Sequence, residues 1–124
     1  MAITQYDIRT YLKEATELAH KVENVGDQID HDRQIPADLA EEMADKGFFR
    51  LLLPQSLGGA ELKHPDFLRI LEIFANVDGS AAWCVNQNNV FSINSLRMPE
   101  GTAKEIWADQ RAVVTNGPPT ALSQ

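Results

Sequence analysis

The sequence has one cysteine, Cys84, in 124 residues, so no disulfide can form within the chain. That count fits a reducing compartment. Aromatic residues make up 7% of the chain, and no apolar run approaches the ~20 residues a membrane span requires. The first ten residues are polar and carry Asp7 and Arg9, without the apolar centre of a secretory leader. Basic residues are also scarce: 11 Lys and Arg stand against 18 Asp and Glu, a net charge of −7. Such a surface repels phosphate backbones and argues against nucleic-acid binding. A soluble cytoplasmic protein is expected, with no membrane partner.

Several chemical signatures are missing as well. His20, His31 and His64 have no metal-ligand spacing. His31 lies between Asp30 and Asp32, close to Asp27, but the ordered ligands and glycine of a calcium loop are absent, so the stretch reads as a solvated acidic loop. Gly58-Gly59 belongs to neither a dinucleotide fingerprint nor a phosphate loop. Cys84, beside Trp83, reads as a packed small apolar residue. No metal site and no catalytic residue is assigned within the chain.

What is present is helical periodicity. Ile8, Tyr11, Leu12, Ala15, Leu18, Ala19, Val22 and Val25 recur at three- and four-residue steps. They predict a first helix capped by Thr4 and ended by Gly26. Asp27 to Gln34 reads as a polar loop. Pro36 opens a second helix with Leu39, Ala40, Met43 and Ala44 inward, stopped at Gly47 in a left-handed conformation. Phe48 to Leu53 is apolar and fits either an extended or a helical state. Pro54 to Leu62 reads as a loop.

Pro65 opens a third helix, apolar over much of its circumference and therefore expected at the centre of a bundle. Gly79 should stop it, and Ser80 should cap a fourth helix running to about Arg97. Pro99 starts a short fifth helix with Ala103, Ile106 and Trp107 inward. Trp83 and Trp107 are both expected in the core. The expected fold is all-α, an up-down bundle of about five helices. Ala112 to Thr115 is the first β-type run. A lone strand cannot pair its own backbone groups. The expected organisation is therefore a helical domain over 1–111, with 112–124 opening a β-barrel domain that continues past Gln124.

The fourth helix is unusual. Asn86, Gln87, Asn88, Asn89, Ser92, Asn94 and Ser95 alternate with Trp83, Val85, Val90, Phe91 and Ile93. Asparagine is a mediocre helix former because its side chain competes for backbone hydrogen bonds. The polar set reads either as a solvent-facing stripe or as the wall of a ligand cavity.

Three stretches together resemble the acyl-CoA dehydrogenase superfamily, which includes related flavin-dependent monooxygenases. The first is Lys46-Gly47-Phe48-Phe49 through Leu53-Pro54 to Gly58-Gly59. The second is Leu71-Glu72 to Ala75, then Val77-Asp78-Gly79-Ser80-Ala81-Ala82. The third is Glu100-Gly101-Thr102 to Trp107, then Arg111 to Thr115. The resemblance implies a helical N-terminal domain, a β-barrel middle domain and a C-terminal helical bundle, with FAD (or FMN) in the full-length protein and none on this chain alone. It implies α,β-dehydrogenation of acyl-CoA thioesters, with the catalytic carboxylate beyond residue 124. Val114 and Thr115 match the family's flavin-contacting strand, and Asn89 and Phe91 would line the substrate side.

Departures point toward the monooxygenase branch, whose substrates are aromatic. Ala112 and Asn116 replace the family's usual tyrosine and glutamate, and Pro118-Pro119-Thr120 replaces a glycine-rich turn. A homo-oligomer acting on a small molecule is expected in either case. A third reading is a helical self-association module without catalysis.

Overall fold

A computed structural model describes residues 7–109 and 112. The chain is all-helical: among the described residues there are six α-helices, two 3₁₀ segments and no strand. The helices are α1 (Ile8–Asn24), α2 (Gly26–Asp32), α3 (Ala37–Asp45), α4 (His64–Ala75), α5 (Gly79–Val90) and α6 (Glu100–Ile106).

Helix α1 buries Tyr11, Ala15, Leu18, Ala19 and Val22, the stripe its periodicity predicts. Its cap is Asp7, whose carboxylate accepts the Arg9 N–H at 2.9 Å. Thr4 lies outside the described residues. Gly26 does not end α1. The helix stops at Val25, and Gly26 opens the short α2 in the segment expected to be a loop. Ile29 is its only buried residue, so there was no apolar period to read. Arg33 then ends α2 at φ 57°, the left-handed region.

Helix α3 buries Leu39 and Met43 and ends at Gly47, whose φ is 83°. The Gly47 N–H reaches the Ala44 carbonyl and the Phe48 N–H reaches the Met43 carbonyl, both at 3.0 Å. This double closure is a Schellman motif, and it needs the left-handed residue that glycine supplies without strain.

The next segment, Phe48 to Leu53, is neither helix nor strand. It holds a fixed course because the chain folds back on it. The N–H groups of Ala60, Glu61 and Leu62 donate to the carbonyls of Arg50, Leu53 and Leu51 at 2.8 to 3.0 Å. Gly59 permits the return. A Cβ there would lie 2.0 Å from the Leu53 carbonyl oxygen.

Helix α4 occupies the centre, packing against both α1 and α5. It buries Phe67, Ile70 and Phe74, while Leu68 is exposed. Phe48 bridges the layers, with edge-on ring contacts to Tyr11 and Phe74 at centroid separations of 5.8 Å. Gly79 and Ser80 do not act as expected between α4 and α5. Asp78 is the cap, its carboxylate accepting the Ala81 N–H at 2.8 Å, and Gly79 is the first residue of α5. The expected fourth helix divides: α5 ends at Val90 and tightens into a 3₁₀ run from Phe91 to Arg97.

A second, smaller cluster joins Leu53, Ala103 and Trp107, with Leu57 and Met98 against it. Trp107 is thus core, as expected. Trp83 is not: it lies 62% exposed on the outer side of α5. Ile106 likewise faces outward. The expected strand begins at Ala112, whose N–H bonds the Asp109 carbonyl at 3.0 Å, and its other residues lie outside the described set.

Candidate functional site

Helix α5 turns its Ala81, Val85 and Asn89 face inward. Asn89 is completely buried. Its carboxamide oxygen accepts the N–H of Leu51 at 2.6 Å and of Leu52 at 3.3 Å. Its amide nitrogen donates to the Phe48 carbonyl at 2.8 Å and to the Val85 carbonyl at 2.7 Å. Two lone pairs and two protons are all an asparagine offers, and all four are used. The backbone of Phe48 to Leu52 has no helix or sheet ladder, so its buried groups need a partner from elsewhere. Asn89 supplies it.

The polar atoms of Asn89, one of the expected substrate-lining residues, are thus all occupied by the fold. Phe91, the other expected lining residue, sits half-buried where α5 passes into the 3₁₀ segment. The remaining polar residues of this helix divide by depth. Ser92 and Ser95 are buried, Asn86, Gln87 and Asn88 are half-buried, and Asn94 is exposed. On the outer side Trp83 and Val90, seven residues apart, share one exposed face, and Leu96 is 72% exposed beyond them.

Arg50 is the site residue that sequence reasoning missed. It lies within an apolar run, yet its side chain is only 6% exposed. Its Nη2 donates to the Trp107 carbonyl at 3.0 Å and to the Asp109 carbonyl. The guanidinium thereby ties the Phe48 to Leu53 segment to the chain leaving α6. Burial lowers its proton affinity, and the charge of Asp109 opposes that effect. A signal existed in the sequence: one arginine among apolar residues needs acceptors. Nothing local says which.

Cys84 is half-buried, and its thiol is pushed up by burial and then by the nearby Asp78 carboxylate. A thiol held protonated is a poor nucleophile. His31 pairs with Asp32 at 3.0 Å on the surface. Among the described residues no group of three His, Cys, Asp or Glu is placed to hold a metal ion, and no helix is long and apolar enough to cross a membrane.

Clefts lie on either side of Arg50. One, of about 230 Å³, is lined by Tyr11, Lys46, Gly47, Gly58 and Ala60 among others. The second, of about 290 Å³, runs along Ser56, Gly58, Lys104 and Trp107. Both are open at the surface. Val114 and Thr115, the expected flavin contacts, lie outside the described residues.

Residues 7–107 match the family described as acyl-CoA dehydrogenase, N-terminal domain. Three curated relatives frame the match. A subunit, CarC, of the caffeyl-CoA reductase-Etf complex of Acetobacterium woodii is 28% identical over 89 residues, covering 72% of this chain and 23% of that protein. Indole-3-acetate monooxygenase of Acinetobacter baumannii is 27% identical over 93 residues, covering 73% of this chain and 23% of the relative. The oxygenase subunit HsaA of a flavin-dependent monooxygenase from Mycobacterium tuberculosis is 24% identical over 108 residues, covering 87% and 27%. The chain thus spans between 23% and 27% of the length of these relatives.

Proposed function

Because the chain belongs to the acyl-CoA dehydrogenase N-terminal domain family, we propose that it forms the helical wall of the substrate and flavin site in a flavin-dependent oxidoreductase. The observation that carries this reading is the family match, which runs through all six helices from residue 7 to residue 107. In this reading 1–111 is the helical domain, and 112–124 opens a β-barrel domain of a longer protein. Val114 and Thr115 contact FAD (or FMN) there, and Phe91, backed by Asn89, faces the substrate. The working protein is a cytoplasmic homo-oligomer.

The reaction is α,β-dehydrogenation of an acyl-CoA thioester. Bound flavin supplies the two-electron chemistry, while the protein holds the substrate and excludes water. The residues of this chain contribute shape rather than proton transfer, and the base comes from beyond residue 124. A second reading, oxygenation of an aromatic substrate with reduced flavin and O₂, is favoured by Asn116 to Thr120 and by the two monooxygenases among the relatives.

The test uses the full-length protein, purified with its flavin. It is assayed for acyl-CoA oxidation with an electron acceptor, and for O₂-dependent hydroxylation with a flavin reductase. Turnover only in the first assay supports dehydrogenation, and turnover only in the second replaces it with oxygenation. Failure to retain any flavin would remove both and leave the non-catalytic self-association reading. The 124-residue chain alone is expected not to bind FAD stoichiometrically.

A further inference from the structure

The apolar outer line of helix α5 continues past the end of the helix. Trp83 and Val90, seven residues apart, lie within about 20° of one another around an α-helix. At Val90 the chain tightens into the 3₁₀ run, and three residues per turn put Val90, Ile93 and Leu96 on one line. A continued α-helix would carry Leu96 about 120° out of line with Val90. Burial agrees with the 3₁₀ geometry: Ser92 and Ser95 are buried on the inner side, while Val90 and Leu96 are exposed. The change of helix type thus makes one strip, roughly 22 Å long, with Ile93 half-buried along it. Of the five large apolar side chains exposed among the described residues, Trp83, Val90 and Leu96 belong to this strip, so the exposure is gathered and not scattered.

The strip also lacks charge. Between Asp78 and Arg97 there is no Asp, Glu, Lys or Arg, in a chain whose net charge is −7. Such a face has nothing to attract a polyanion, an anionic lipid surface or a strongly charged protein. It suits a face like itself, because two copies can meet there without opposing their negative charges. The two charges that bound it are of opposite sign: Asp78 caps the start of α5, and Arg97 is exposed at the end of the 3₁₀ run. In a contact about a two-fold axis the same patch meets itself in reverse order. Antiparallel strips then bring Arg97 of each copy toward the partner's Asp78, and bring Leu96 toward the end where the small residues Gly79 and Ser80 are exposed. Parallel strips would oppose like charges at both ends.

We propose that this strip is a self-association surface, on which a second copy of the chain docks its own strip antiparallel about a two-fold axis. Three exposed apolar side chains per copy cover less than the about 800 Å² per partner of a standard interface, so the contact is weak and reversible. The chain is a monomer when dilute, with Trp83 open to solvent, and a dimer when concentrated. The proposal names an interface for the expected homo-oligomer and needs none of the flavin chemistry. A monomeric result would therefore leave the flavin reading standing.

The 124-residue chain is followed by sedimentation velocity from about 5 μM to about 1 mM, the range in which a weak contact passes from free to bound. A reversible shift from monomer to dimer is expected. Leu96→Lys and Trp83→Ser change exposed side chains, leave the fold intact by circular dichroism, and weaken dimerisation by about tenfold or more. Arg97→Glu opposes two carboxylates and weakens it several-fold at low salt. Adding Asp78→Asn to that variant restores much of the loss, since asparagine keeps the helix cap and removes the opposing charge. In a Trp107→Phe protein, acrylamide quenching of Trp83 falls as the concentration rises. The proposal is overturned if the chain stays monomeric throughout, or if it grows past the dimer, since a two-fold contact closes. It is overturned as well if Leu96→Lys and Trp83→Ser associate like the parent, which would place the contact on another surface. Arg97→Glu behaving like the parent at low salt would remove the antiparallel arrangement and the proposal with it.

Discussion

The carboxamide oxygen of Asn89 accepts the N–H of Leu51 at 2.6 Å, joining helix α5 to an irregular segment 38 residues earlier in the chain. With the amide donating to Phe48 on the other side, one side chain does for this segment what a neighbouring strand would do in a sheet. Asn89→Ala leaves at least three buried backbone groups without partners and should cost about 3 kcal/mol or more. Asn89→Asp should be worse at neutral pH, because an acceptor-only carboxylate would face the Phe48 and Val85 carbonyls. Urea unfolding of the two variants checks this. An Asn89→Asp protein as stable as the parent would show that the amide is not needed.

The position of Asn89 also shows why α5 was hard to read. Its inward face is Ala81, Val85 and Asn89, continued by Ser92, so two of the four inward residues are polar. Periodicity places apolar residues inside, which puts Trp83 in the core and leaves the asparagines to a solvent-facing stripe or a cavity wall, with no reading that buries one of them in the fold. The rule fails where a buried polar residue serves backbone that is distant in sequence. By contrast, α1 and the Gly47 stop were legible because their determinants are local: an apolar stripe and a single left-handed position. The short α2 was not legible, since Ile29 alone anchors it. Arg50 was visible as an anomaly, but its acceptors lie 57 and 59 residues away.

Gly59 and Gly58 should differ sharply when each is changed to alanine. A Cβ on Gly59 overlaps the Leu53 backbone at 2.0 Å, so the turn must open and the hydrogen bonds from Ala60, Glu61 and Leu62 must be lost or lengthened. The expected cost is at least about 3 kcal/mol. Gly58→Ala meets only Nη1 of Arg50 at 3.4 Å, and its penalty is the left-handed backbone at φ 90°, about 1–2 kcal/mol. Thermal unfolding of both variants decides between them; equal losses would contradict the close approach of Gly59 to Leu53.

The two tryptophans give an optical test of the packing. Trp83 is 62% exposed and Trp107 is 3% exposed. In a Trp107→Phe protein the remaining indole should emit at long wavelength and be quenched readily by acrylamide. In a Trp83→Phe protein emission should be shifted to the blue and quenching should be several-fold weaker. Stability should hardly change on Trp83→Phe, because exposed substitutions usually stay within about 0.5 kcal/mol. A protected Trp83 in the isolated chain would mean that a second copy covers the outer face of α5.

Helices α1 and α3 are linked by charge as well as by packing. Lys21 reaches both oxygens of Glu42 at 2.7 Å, and Lys46, one turn further along α3, lies 3.4 Å from the same carboxylate. The hydrogen bond from Lys21 holds the Glu42 carboxyl below the usual glutamate range; burial opposes this, and Lys46 adds to the lowering. A carboxyl whose folded value is depressed binds its proton more weakly when folded than when unfolded. Its contribution to stability is complete above the usual glutamate range and is lost as pH falls through the depressed folded value. Lys21 is itself more than half exposed, which keeps the effect to about 0.5–1 kcal/mol at low ionic strength. Glu42→Gln should therefore be less stable than the parent by that amount at pH 7, and the gap should close in acid and shrink in 1 M salt. Urea midpoints measured across pH provide the check. A gap that persisted in acid would mean that Glu42 stabilises the chain by packing its methylenes against Lys21 and not by its charge.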